Sequence, residues 1–297
     1  MPPDVEPEPD AEPPGMRELR ISYADTVTSA WRRAVIRLVE RVLGIRYVER
    51  ALAQRRQHLE AGVDEWSTAL RLFNLRYQAE GYPIDRLPND RPLIFVANHP
   101  FGLPDGIVAS HIASQVRDRF GLLAVGIISE IPEIAPWILP VDFSATQEAK
   151  EVNLKSRAEA VRLLKSGGVV VIFPAGEVAT APGVFGEAVE GEWSSFVGRL
   201  ILCSDADVAP LRFEGRNSWA FHLVSKFSET VRLAMLIRET KRMAGKTIRV
   251  TVGRPIPNSE LRALGPRQKI VDSLRERTLS LDAADNQLRE PAEPQLA

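Results

Sequence analysis

The sequence predicts an α/β fold, a mixed, largely parallel central sheet flanked by helices, with an amphipathic helical extension on its N-terminal side. Three observations carry that prediction. Short apolar runs rich in Val, Ile and Phe recur after residue 90 and are bounded by turn-forming residues. Stretches with apolar residues at three- and four-residue steps alternate with them. The hydrophobic content of 44% over 297 residues can cover both faces of such a sheet.

Taken in chain order, residues 1–15 hold six prolines and five acidic residues and no basic one. That composition is expected to stay disordered. Residues 16–84 are expected to be helical: Val27, Ala30, Trp31, Val35, Leu38, Val39 and Val42 share one face, the pattern runs over about 24–80, and Gly44 stops the first helix. From Arg17 to Arg56 there are ten arginines against four acidic residues. A basic amphipathic helix of this kind lies on an anionic membrane surface, or packs on the domain as an ordinary solvated helix; both readings stand.

The main domain is expected over 85–281. Its strands are predicted at 93–97, 122–127, 169–173, 208–213, 231–237 and 247–252, the later ones able to run antiparallel, and its helices at 107–120 and 152–165. Gly167-Gly168 ends the second helix. Residues 282–297 are polar and are expected to be a second disordered tail.

Composition narrows the function. The lone Cys203 excludes an internal disulfide and any cysteine-built zinc site, which makes the cytoplasm the expected location. No apolar run approaches the roughly 18 residues of a membrane span, and the acidic, proline-rich start is unlike a signal peptide. The four histidines, His58, His99, His111 and His222, show no helical zinc spacing, so no metal is expected. A net charge of −1 argues against a nucleic-acid partner.

Chemistry concentrates where apolar runs end. The segment 93–97 opens into Asn98-His99-Pro100-Phe101-Gly102-Leu103-Pro104-Asp105. A histidine on a strand-exit loop with a carboxylate six positions on is a general base with its orienting partner, although a lone histidine is often structural. The run 169–173 ends in Phe173-Pro174-Ala175-Gly176-Glu177, whose small residues let backbone N–H groups approach an anion, or simply turn the chain. After 208–213, Arg212 and Arg216 could grip a phosphate or carboxylate, or Arg212 could pair with Glu214.

In this order, over about residues 85–256, the segments resemble the PlsC-type glycerolipid acyltransferases, and within them the hemolysin-like branch. His99 and Asp105 fall at that family's first motif, Leu139-Pro140-Val141-Asp142 at its acceptor-side block, Phe173 to Glu177 at its third motif and Val208-Ala209-Pro210 at its fourth. The segment from Phe213 through Arg216, Asn217 and Ser218, with Gly253-Arg254-Pro255-Ile256, is similar to the hemolysin-like branch. The resemblance implies transfer of an acyl group from an acyl-CoA or acyl-carrier-protein thioester, without a resident cofactor, to a hydroxyl of a lysophospholipid or related acceptor. His99 and Asp105 would be catalytic, and Phe173, Pro174, Ala175, Gly176, Glu177, Arg212, Arg216 and Asn217 would meet substrate. It also raises the membrane reading of the basic helices, giving a peripheral protein on the cytoplasmic face, with acyl carrier protein a further possible partner.

Two departures bear on the substrate. Five residues separate His99 from Asp105 where the family has four, so the loop must bulge. The third motif carries Ala175, Glu177 and Val178 where the family has Glu, Thr and Arg, which removes the arginine expected on an acceptor phosphate. A less charged acceptor is therefore open, and Glu177 either bonds it or caps the next segment. A lipid-binding protein without turnover and a lipid or thioester hydrolase are the rivals. The hydrolase is weakened by the lack of a Gly-x-Ser-x-Gly elbow.

Overall fold

The computed structural model describes residues 64–131, 134–180, 189–224 and 229–282. Most of the basic helical stretch, the acidic N-terminal tail and residues 283–297 lie outside them, so the expectations placed there are not addressed by the structure.

Seven strands form one sheet: β1 (Arg76–Gly81), β2 (Leu93–Ala97), β3 (Phe120–Val125), β4 (Ile138–Val141), β5 (Val169–Ile172), β6 (Asp207–Phe213) and β7 (Thr247–Val252). Their order is β1-β7-β6-β2-β5-β3-β4, with every pairing parallel except the antiparallel β6–β7. The mixed, largely parallel sheet is the one the sequence predicts. The helices are α1 (Glu65–Leu72), α2 (Leu103–Val116), α3 (Gln147–Lys165), α4 (Phe196–Cys203), α5 (Trp219–Val224), α6 (Glu229–Met243), α7 (Asn258–Ala263) and α8 (Arg267–Leu279).

Strand β2 shows why the sheet is buried on both sides. Its five residues are fully buried, and because side chains alternate, Leu93, Phe95 and Ala97 face one core while Ile94 and Val96 face the other. The first core takes Trp66 of α1 and Ile107, Val108, Ala109 and Ile112 of α2. The second takes Ala160 and Leu164 of α3, Val197, Leu200 and Ile201 of α4 and Ile270, Val271 and Leu274 of α8. Among the described residues no helix is long and apolar enough to cross a membrane.

Three readings of the sequence need correction. The run 231–237 is not a strand but lies inside α6. Its Leu, Ala and Met are good helix formers, and a short apolar run does not reveal its period. The helical reading of 24–80 covers Arg76–Gly81, which is strand β1, paired in parallel with β7. The sheet thus begins before residue 85. Asn74, at φ 46, turns the chain out of α1, and β1 is a mainly solvent-facing edge whose polar residues hide the pattern of a strand. Strand β4 is also unanticipated, being four residues long with Pro140 inside. Proline is tolerated there because β4 is the other edge.

Candidate active site

The three central strands β6, β2 and β5 are neighbours and parallel, so their carboxyl ends open on the same rim of the sheet. Open α/β sheets bind ligands outside the carboxyl ends of their strands. The loops after β2, β5 and β6 are those that carry His99, Phe173 to Glu177, and Arg216 to Ser218. Residues more than a hundred positions apart thereby share one rim.

The loop after β2 closes on Asp105. Nδ1 of His99 lies 3.1 Å from Asp105 Oδ2, which also accepts from the N–H groups of Phe101 at 2.7 Å and Gly102 at 3.0 Å. Asp105 is fully buried in the first turn of α2, where the helix dipole favours a carboxylate; its Oδ1 has no partner among the described residues. Gly102, just before α2, has a φ of +91 that suits glycine, and a Cβ there would sit 3.0 Å from Leu236 Cδ2. Because the carboxylate only accepts, Nδ1 is the protonated ring nitrogen and Nε2 carries the lone pair. The imidazole stacks on Phe173 with ring centres 4.1 Å apart, and its side chain is 18% exposed.

Several residues that hold this loop were not singled out from the sequence. Asn98 joins β2 to β6, its Nδ2 donating to Phe213 O at 2.8 Å and its Oδ1 accepting from Phe213 N at 2.6 Å. The His99 carbonyl accepts from Ala179 N at 2.9 Å, and the His99 N–H donates to Glu190 Oε1 at 2.7 Å. Glu190 is buried, and its Oε2 accepts from Trp193 Nε1 at 3.0 Å. Burial raises its pKa above the ordinary glutamate value; the bonds from Trp193 and the His99 N–H and the charges of His99 and Arg275 oppose that rise. Asn98 adjoins the histidine and was within reach of sequence reasoning. Glu190 and Trp193 sit in a polar stretch that reads as surface.

The third-motif loop is a tight turn. Gly176 N donates to Phe173 O at 2.9 Å with φ +72 at Gly176, and Pro174 O accepts from Ser194 N at 2.8 Å. Phe143, 64% exposed on the loop after β4, covers this glycine closely: a Cβ there would sit 3.0 Å from its Cε1. The acceptor-side block, Leu139 to Asp142, thus leads an aromatic ring onto the third motif. Ala175 packs against the second core, and Glu177 is exposed with its carboxylate beside Gly191.

The loop after β6 divides the remaining predicted residues. Arg212 is bonded elsewhere: Nη1 donates to Leu281 O at 2.7 Å, and strand alternation puts its side chain on the opposite face from Phe213, whose ring centre lies 6.5 Å from that of Phe173. Arg216 is exposed, and its carbonyl accepts from Arg242 Nη2 at 3.3 Å. Asn217 is 3% exposed, yet neither atom of its amide has a partner among the described residues. Ser218 donates through N and Oγ to Glu239, a fully buried carboxylate of α6 that also takes Arg242 Nε at 2.8 Å and Arg238 Nη1 at 3.3 Å. Among the described residues no group of three or more His, Cys, Asp or Glu could hold a metal ion.

A family model described as acyltransferase matches residues 31–287. The lyso-glycine lipid O-acyltransferase of Phocaeicola vulgatus is 25% identical over 205 residues, 67% of this chain and 70% of that protein. The protein of the same name from Bacteroides thetaiotaomicron is 25% identical over 203 residues, 66% of this chain and 71% of its own. The crystal structure of the 1-acyl-sn-glycerophosphate (LPA) acyltransferase PlsC from Thermotoga maritima aligns over 88% of this chain and 86% of that one, with a TM-score of 0.41 and 13% identity. The family match runs through all seven strands and every loop of the rim, and so this chain belongs to the acyltransferase family, as its PlsC-like order of motifs indicates.

Proposed function

We propose that the protein moves a fatty acyl group from an acyl-CoA or acyl-carrier-protein thioester to the hydroxyl of a lysolipid, with His99 as general base. The observation that carries the reading is the His99 to Asp105 contact at the carboxyl rim. Asp105 holds Nδ1–H and so presents Nε2 as acceptor. As the hydroxyl oxygen attacks the thioester carbon, Nε2 takes its proton; collapse of the tetrahedral intermediate expels the thiolate, which the imidazolium reprotonates. No acyl-enzyme is needed. A base so placed contributes about 10²- to 10⁴-fold.

The acceptor we favour is a lyso-glycine lipid, in preference to 1-acylglycerol-3-phosphate. Val178 stands where the family's phosphate-binding arginine is expected, and Arg212 is bonded to Leu281. The similar bacterial proteins are named for lyso-glycine lipid. Asn217 offers an amide whose NH2 and carbonyl oxygen have no partner among the described residues, and Arg216 precedes it on the same loop.

Incubation with acyl-CoA and either lyso-glycine lipid or lysophosphatidic acid tests the reading. Acylated glycine lipid and stoichiometric thiol are expected, and His99→Ala should lose both. Free fatty acid as the sole product would mean a hydrolase; binding without turnover would mean a lipid carrier. The proposal includes peripheral contact with the cytoplasmic face of a membrane, supported by the arginine-rich stretch 17–56 and by the preference of a substrate's acyl chain for lipid over water. The chain should float with anionic vesicles and release them at about 1 M salt, where the screening length falls to about 3 Å.

A further inference from the structure

We propose that Glu190 is a positioning residue for His99, a second buried carboxylate that holds the backbone of the base in register with the loop after β5. The inference rests on His99 being the base. Asp105 serves the imidazole and the N–H groups of Phe101 and Gly102, and Pro100 has no N–H. The donor left over is the N–H of His99 itself, and Glu190 takes it at 2.7 Å. On the far side of the same residue, the carbonyl accepts from Ala179 N. Both contacts come from the chain leaving β5, where Thr180 and Val189 form an antiparallel bridge. Phe173, which stacks on the ring, begins that same segment.

Glu190 is itself anchored. Its second oxygen accepts from the buried indole of Trp193, and its carbonyl accepts from Arg275 Nη2 at 3.4 Å. A hydrogen bond to a carboxylate is roughly twice as strong as a neutral one, and its geometry is correspondingly firm. The two carboxylates do different work. Asp105 fixes the ring relative to α2, whereas Glu190 fixes the peptide relative to the loop bearing residues 173–177. If those residues meet the acceptor, Glu190 sets the distance between the base and the hydroxyl it deprotonates. A misplacement of about 1 Å there can cost about 10²-fold in rate.

Single-turnover and steady-state kinetics on the full chain, with palmitoyl-CoA and synthetic lyso-glycine lipid, test this in Glu190→Ala, Glu190→Gln, Trp193→Phe, His99→Ala and the double variant His99→Ala/Glu190→Ala. Glu190→Ala should lower kcat by about 10²-fold while both KM values stay within about threefold. Glu190→Gln keeps an oxygen for the His99 N–H and should recover kcat to within about tenfold of the native rate. Adding Glu190→Ala to His99→Ala should change nothing further, since residues acting through one group are not additive. A folded Glu190→Ala chain with native kcat, a loss confined to KM, or an undiminished further loss in the His99→Ala background would each overturn the proposal. If Glu190→Ala does not fold, Trp193→Phe decides: kcat should fall about fivefold, the worth of one hydrogen bond, and native kcat there overturns it. A native rate in His99→Ala alone would instead remove the base reading, and is scored separately from the Glu190 variants.

Discussion

Asp105 Oδ2 accepts three hydrogen bonds, all from residues 99–102, and this makes the carboxylate both the partner of the imidazole and the clasp of its loop. Asp105→Asn keeps one acceptor but brings an amide donor to a site that supplies only donors. It should lower kcat by about 10²- to 10⁴-fold, as expected for loss of an oriented base, and lower Tm as well; kinetics beside thermal unfolding would show both. A kcat within a few-fold of native would remove Asp105 from the mechanism. Gly215 makes a similar point about packing. Its φ is +121 and an added Cβ would fall 2.5 Å from Phe101 Cζ, so Gly215→Ala combines backbone strain with a clash against a buried ring. A loss of about 2–4 kcal/mol in denaturant unfolding is expected. At this scale the sequence was informative wherever partners are close in the chain. His99 and Asp105 are six residues apart and legible together, whereas Glu190 lies 91 residues from His99 and belongs to the same site only through the path of the chain after β5.

Between elements, the seam joining α1, α2 and β1 runs through His111. Ser67 Oγ lies 3.1 Å from its Nε2 and Tyr77 OH 2.9 Å from its Nδ1. Burial lowers its pKa below 6.5, opposed by the charge of Asp64. The unfolded chain therefore binds a proton that the folded chain refuses, and stability is lost as pH falls from about 7 through 6.5 toward the lowered folded value. Glu190, raised by burial, acts in the opposite sense, losing stability as pH rises above 4.5. The contribution of His111 is therefore read as the difference between native and His111→Gln chains in urea unfolding at pH 7 and pH 5.5, the native chain being the more acid-sensitive. Equal sensitivity would exclude His111 as the cause. The elements misread from the sequence share one feature. β1 is polar because it is an edge, and the mostly apolar run 231–237 is too short to reveal the helical period of α6. Local pattern reports burial, and only through burial does it report structure.

For the whole molecule, the decisive fact is that β6, β2 and β5 are adjacent although they are distant in the chain. Glu239 then ties the rim to α6 by collecting Ser218, Arg238 and Arg242. Glu239→Ala removes the acceptor of a serine and of two part-exposed guanidinium groups, and should cost about 1–3 kcal/mol in unfolding free energy, a loss that Tm and denaturant midpoint would both register. The sequence by itself determined the α/β class, the central strands, the His99 to Asp105 loop and the missing third-motif arginine, because each is written in residues close together in the chain. Only the tertiary structure decided that Arg212 is bonded to Leu281, that Glu190 reaches the His99 backbone, and that Asn217 is buried with an idle amide. Those outcomes depend on which strands become neighbours and which face a side chain takes, and neither is set until the two cores close on the sheet.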